Sequence, residues 1–279
     1  SVNEIVEHID IGGPALVRAA AKNYNDVTVI SSTEQYSELI HELTINKGYT
    51  SFKFREKMSR LAFSETAFYD SIISNYFNEI TNTQFPKKKI IHANLIEKLR
   101  YGENEHQQSA IYSQKDNLGL IKLHGKTLSY NNYNDVFSAL SITKSFPKNV
   151  GTVIIKHANP CGVSILKDKL KSYKSALACD PLSAFGGVVS CNFKISKSIA
   201  LELNKIFFEV IIGNGFEKSA IKILKTKKNI RLIDASNFSL NKSLRFNSIN
   251  ASVLIQSEDN KIFQKKDFRV VSKKKPSKL

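Results

Sequence analysis

The chain has 279 residues, enough for one large or two ordinary domains, and its 42% hydrophobic and 24% charged content is that of a soluble globular protein. Its formal charge of +16, from 41 Lys and Arg against 25 Asp and Glu, invites a nucleic-acid reading. The lysine runs at 87–89, 227–228 and 273–275 nevertheless come without an RNA-binding aromatic signature, a recognition helix or a zinc finger, and a basic surface suits anionic small substrates equally well. No apolar run reaches the length of a membrane span, and no basic region followed by an apolar core opens the chain. Cys161, Cys179 and Cys191 lack the spacing of a disulfide framework or a structural zinc site. These features predict a cytoplasmic protein with no membrane association, no specific nucleic-acid partner and no metal centre.

In chain order, Gly12-Gly13-Pro14 leads into a helix over 15–22, with proline where the first turn tolerates it. Residues 27–30 (Val-Thr-Val-Ile) predict a short buried strand, and Ser31 to Glu34 has the capping-box pattern that opens a second helix. Helical spacing runs over 51–80, where Phe63, Phe68, Tyr69, Ile72, Ile73, Tyr76 and Phe77 form an apolar stripe expected to pack in the core. Residues 81–89 turn polar, basic and proline-bearing, which predicts a linker. Beyond it, strands are expected at 119–123, 151–156, 187–191, 210–212 and 230–233. Helices are expected at 136–143, 169–178, 196–206 and 218–224. That alternation predicts an α/β sandwich with a largely parallel sheet. Residues 269–276 read as the start of a new unit, as though the chain were cut short.

Five segments have residue types that could carry chemistry. Asp10 and Ile11 precede a glycine turn and a helix N-terminus, which suits an anion, and Lys22 lies near the end of the same helix; a plain turn with a solvent-facing lysine explains the segment too. Residues 99–107 are dense in polar groups, and Arg100 and Tyr101 offer a planar fork and a stacking ring. Residues 125–132 join a turn to a helix start, which capping by the asparagines would account for. Residues 180–187 end in Gly186-Gly187 before a strand, where backbone can approach a ligand or simply turn tightly. Lys156-His157 ends a β-branched run, at the carboxyl end of a strand, where open α/β sheets bind ligands. Alternate strand residues face opposite ways. The pair can therefore serve one site only if the strand breaks there, and Asn159-Pro160 favours that break.

Together, IDIGG with RAAAKN (9–13, 18–23), LRYGENEHQ (99–107), GKTLSYNN (125–132), IKHANPCG (155–162) and DPLSAFGG (180–187) occur in the order found in the bifunctional purine biosynthesis family. That family combines AICAR transformylase with IMP cyclohydrolase, and the chain resembles about its middle half. The resemblance implies an α/β fold: the C-terminal part of a methylglyoxal-synthase-like cyclohydrolase domain plus a helical linker over 1–90, then the first half of a cytidine-deaminase-like α/β/α transformylase domain over 91–279.

The resemblance also implies roles. The match to Lys22 would shuttle a proton as FAICAR closes to IMP with loss of water, with Asp10 at the same site and Ile11 contacting the base. His157 would accept the proton as the AICAR amino group attacks the formyl carbon of the co-substrate 10-formyltetrahydrofolate, and Lys156 would stabilise the oxyanion. Arg100, Tyr101, Asn132, Gly186 and Glu209 would hold AICAR, Glu209 on a looser alignment. No catalytic metal is implied, and a homodimer is. Glu105 stands where the family has proline, which predicts a less rigid loop after Asn104. The alternative is a nucleotide-binding module without catalysis.

Overall fold

The computed structural model describes residues 1–240, 244–259, 261, 263–274 and 277. The described chain divides into two compact units, 1–94 with 112–116, and 95–111 with 117–279.

The first unit is helical. Ser1 caps α1 (Val2–Glu7) in a capping box with Glu4. Then follow α2 (Gly12–Lys22), α3 (Tyr36–Ile45) after a short 3-10 turn capped by Ser32, and the 29-residue α4 (Phe52–Ile80) capped by Ser51. The expected strand at 27–30 forms no ladder. A strand needs a hydrogen-bonding partner, and no described residue pairs with this segment. Val29 is buried all the same, in a small cluster with Ala21 and Ala62.

The long helix is where expected, but its buried face differs. Phe54, Met58, Ala62 and Thr66 recur every fourth residue and are buried, which is one helical stripe. The Ser59 hydroxyl donates to Ala21 O at 2.6 Å. The aromatic stripe is instead in part exposed, with Phe63, Ile72 and Phe77 at 36%, 44% and 40%. The buried face thus carries both large side chains, Phe54 and Met58, and the small Ala62, which clusters with Ala21 of α2.

The second unit is built on a six-stranded sheet in the order β3 (Ile121–His124), β8 (Arg231–Asp234), β7 (Val210–Gly213), β6 (Val188–Cys191), β4 (Thr152–Lys156), β5 (Asn159–Ser164). β1 (Asn94–Leu99) and β2 (Ser109–Ser113) form a separate pair. The main sheet is mixed rather than largely parallel. β6, β7 and β8 are parallel, but β4 is antiparallel to both β5 and β6, and β3 to β8. The cause is local: only two residues separate β4 from β5, and a parallel return needs a crossover of a dozen or more. β5 was not expected, because Pro160 argues against a strand. It is tolerated at the sheet's outer edge beside a bulge.

Alternate strand residues supply two cores. Ile154, Val189, Cys191, Ile211 and Leu232 face a layer that includes Tyr173 of α6 (Lys169–Cys179), Ile199 and Leu203 of α8 (Lys197–Leu203) and Leu224 of α9 (Lys218–Leu224). Val153, Ile155, Val188, Val210, Ile212 and Ile233 face Val136, Ala139 and Leu140 of α5 (Tyr130–Thr143). α5 starts six residues earlier than the apolar pattern suggests, because Ser129 and Asn132 close a capping box around its first turn. A short α7 (Pro181–Ala184) precedes β6. An unanticipated hairpin follows β8, formed by β9 (Leu244–Ile249) and β10 (Ser252–Ser257). Of the new unit expected at 269–276, the described residues form no strand, and Lys275 and Pro276 lie outside the described residues.

Gly162 on β5 packs against α6 so closely that an added Cβ would run into Ala176 O. Gly162→Ala is expected to lower stability by about 3 kcal/mol, as overpacking against fixed backbone does, read as a lower urea midpoint with an unchanged m-value.

Candidate functional site

β4 runs against β6, so its carboxyl end lies beside the amino ends of the parallel strands. Ile155 pairs with Val188, Val188 with Val210, and Val210 with Arg231. One residue beyond that row stand Lys156, Gly187 and Glu209. The sequence argument placed Lys156-His157 at a carboxyl edge, which is true of β4 alone. For the three parallel strands this is the amino edge.

The strand stops at Lys156, as a shared site for the pair requires, but the break is not at Asn159-Pro160. It is at His157 and Ala158, with φ of 54° and 60°. They form a two-residue hairpin turn between the paired Lys156 and Asn159, with both central residues in the left-handed region. That conformation costs a non-glycine residue roughly 1–2 kcal/mol, so neighbouring groups must hold it. Asp135 Oδ1 accepts the Ala158 N–H at 2.6 Å, Asn159 Nδ2 donates to His157 O at 3.0 Å, and Lys156 Nζ donates to Phe185 O at 2.9 Å. His157 is exposed and Lys156 half-buried. Burial pushes the Asp135 carboxyl above its ordinary value. The Ala158 N–H and His157 act against that rise, and Glu209 adds to it.

A cleft of about 270 Å3 in the same unit is lined by Arg100, Tyr101, Lys126, Ser129, Asn132, Phe207, Glu209, Asn229 and Arg231. Asn132 Nδ2 donates to Glu209 Oε2 at 2.7 Å, and Arg231 approaches the same oxygen at 3.8 Å. The Asn132 Oδ1 accepts from Ser129 N at 3.3 Å, so this side chain both caps α5 and reaches the cleft. The Arg100 guanidinium sits over the Tyr101 ring at 5.3 Å. The 102–107 loop closes through Gly102 N to Gln107 O at 2.7 Å, and Asn131 Nδ2 ties it to α5 through Glu103 O at 3.2 Å.

The cleft thus gathers Arg100, Tyr101, Asn132 and Glu209, which lie far apart in sequence. Gly186 does not line it; with φ of 73°, it donates its N–H to Phe207 O at 2.8 Å. Sequence reasoning missed Asp135, Lys126, Asn229 and Arg231. Asp135 was reachable, because it is three residues past Asn132 and shares its helix face. Arg231 depends on strand register, which the sequence does not reveal.

In the first unit, Asp10 Oδ1 accepts from Gly13 N at 3.0 Å, and Asp10 N donates to Tyr69 Oη at 2.8 Å. The helix N-terminus expected to suit an anion is therefore occupied by the chain's own carboxylate, which repels a second negative group. Ile11 is 75% exposed. Lys22 is at the far end of α2, roughly 15 Å away at 1.5 Å per residue, so the described unit does not bring it to Asp10. No group of three His, Cys, Asp or Glu with metal-binding geometry occurs among the described residues.

The second unit is a mixed α/β unit whose cleft gathers cationic, amide and carboxylate groups at one sheet edge. The chain belongs to the AICARFT/IMPCHase bienzyme family, which matches residues 20–279. It is 40% identical to the bifunctional purine biosynthesis protein PurH of Bradyrhizobium diazoefficiens, over 98% of this chain and 53% of that protein. It is 41% identical to the Persephonella marina protein of the same name, over 99% of this chain and 55% of that one. The chain spans about half the length of the curated relatives it matches.

The raised Asp135 carboxyl means that the folded chain holds its proton more tightly than the unfolded one. Its contribution to stability is present below pH 3.8 and is lost as pH rises above it. Asp135→Asn is therefore expected to gain stability relative to wild type as pH rises from 4 to 7, measured by urea denaturation across that range. A constant difference would contradict it.

Proposed function

We propose that this chain carries the AICAR-binding and proton-transfer part of a bifunctional enzyme of purine biosynthesis. The reaction is formyl transfer from 10-formyltetrahydrofolate to AICAR, giving FAICAR, followed by dehydrating ring closure to IMP. The observation that carries this reading is the convergence of Arg100, Tyr101, Asn132 and Glu209 on one cleft, in a chain whose family is named for both activities. Residues 1–90 are assigned to the end of a methylglyoxal-synthase-like cyclohydrolase domain with its helical linker. Residues 91–279 are assigned to the first half of a cytidine-deaminase-like transformylase domain.

In this reading, the cationic groups of the cleft attract the nucleotide phosphate, and the Asn132–Glu209 pair offers a donor and an acceptor to the substrate's polar groups. The AICAR amine attacks the formyl carbon. His157 takes the amine proton, and the Lys156 ammonium stabilises the oxyanion of the tetrahedral intermediate; as this collapses, the bond from the formyl carbon to the folate nitrogen breaks and the His157 imidazolium returns the proton to that nitrogen, releasing tetrahydrofolate. The pair can divide the work because the strand ends between them: Lys156 is the last ladder residue and His157 the first of the turn. By their motifs, Lys22 and Asp10, at opposite ends of α2, are assigned to ring closure, with Ile11 at the base, and Gly186, which lies outside the cleft lining, to the binding of AICAR. The same reading carries a homodimer, a cytoplasmic setting and chemistry without a catalytic metal.

Calorimetric titration of the 279-residue chain with AICAR is expected to show binding, and Glu209→Ala to weaken it about 10- to 100-fold by leaving Asn132 and Arg231 unpaired. Absence of binding would count against the reading. Because the chain spans half the length of its relatives, binding with little or no formyl transfer is expected of it alone. In a protein of the relatives' full length that carries this segment, His157→Ala should abolish formyl transfer and spare ring closure. Equal loss of both activities would contradict the assignment.

A further inference from the structure

We propose that Asp135 is the positioning residue for His157: by accepting the Ala158 N–H, its carboxylate holds the paired left-handed turn on which the histidine is carried. This deepens the formyl-transfer reading and rests on it. The first support is the turn itself. His157 and Ala158 both have positive φ, and neither is glycine or asparagine, the residues such a turn favours. A conformation that its own residues disfavour persists only where surrounding contacts over-determine it, and such backbones cluster at functional sites.

The second support is where the anchor stands. The 2.6 Å bond from Ala158 N reaches Asp135 on a different element, across 23 positions of sequence. That element is held tightly. α5 is capped by Ser129, and Val136, the next residue after Asp135, is fully buried in the cluster that contains Val153 and Ile155 of β4. The strand that ends in the turn and the helix that anchors it therefore share one core, so the distance between them is set by packing.

The third support is the shared face of α5. Asn132 donates to Glu209 in the cleft, and Asp135, three residues on, reaches the turn. A single helical turn thus fixes both the cleft and the histidine's backbone. A ligand seated against Asn132 and a base carried at His157 would keep a constant separation, which is what proton transfer in a preorganised site needs. Burial pushes the Asp135 carboxyl up, and the Ala158 N–H acts against that rise, so the bond to the turn favours the charged acceptor.

The test compares two ways of losing the carboxylate in a protein of the relatives' full length that carries this segment. Asp135→Ala removes the acceptor, and is expected to lower kcat for formyl transfer about 100-fold, the effect of a misplaced catalytic group, with KM for AICAR and the ring-closure rate nearly unchanged. Asp135→Asn keeps an acceptor oxygen, and should recover kcat to within about tenfold of wild type. Ala158→Gly in the Asp135→Ala background should also recover most of the loss, because glycine takes positive φ without strain. Should the alanine variant fail to fold, Asp135→Ser, too short to reach the amide, repeats the comparison.

A wild-type kcat in Asp135→Ala, or asparagine as impaired as alanine, overturns the positioning role, as does failure of Ala158→Gly to rescue. The underlying reading is tested separately. Formyl transfer that survives His157→Ala sinks the assignment of the base itself. Transfer lost in His157→Ala but intact in Asp135→Ala sinks only the role of Asp135.

Discussion

Strand β4 is hydrogen-bonded on both sides to strands that run the other way, and the second unit depends on that reversal. Were β4 parallel to β6, its last residues would fall beside Cys191, Gly213 and Asp234 at the opposite edge. Reversed, Lys156 ends next to Gly187 and Glu209, with Arg231 one residue further along its strand. The ladder fixes these neighbours to within a residue, because a slip of one would also turn Ile154 and Ile155 to the wrong cores. Burial on both faces therefore sets the register, and the register sets the site.

The reversal also constrains the turn. Two residues are all that join β4 to β5, so the hairpin takes the left-handed pair of dihedrals that matches strand twist. The residues in that turn are chosen against backbone preference, and the structure compensates with side-chain tethers from Asp135 and Asn159. Pro160 follows at a position that only an edge strand tolerates. Strain, tether and edge are three consequences of the same short connection.

The first unit rests on different physics. It has no sheet among the residues 1–80, and what holds it is capped helices, the buried α4 face with Phe54 and Met58, and a small cluster of Ala21, Val29 and Ala62. Phe63, Ile72 and Phe77 remain partly in solvent. The carboxylate of Asp10 at the start of α2 satisfies a free amide while filling the place a ligand anion would take.

Much of the second unit was legible before any coordinates. The strands expected at 151–156, 187–191, 210–212 and 230–233 are rich in β-branched and apolar residues bounded by turn formers, and each overlaps an observed strand of the sheet. The motif segments likewise held Arg100, Tyr101, Asn132, Lys156 and His157, whereas Glu209 lies outside them and came only from the family resemblance. Strand direction was not legible: β5 hides behind a proline, and without it the hairpin that reverses β4 cannot be inferred. The face that α4 buries was equally hidden, because a pattern of large apolar residues does not reveal which of them a neighbouring helix covers. The sequence by itself determined which residues are apolar, which helices are capped and which chemical groups are available. Only the tertiary structure decided that Asn132, Asp135, Glu209 and Arg231 meet at one edge with Lys156 and His157, because that meeting follows from hydrogen-bond register and two-sided packing, which no local run of residues encodes.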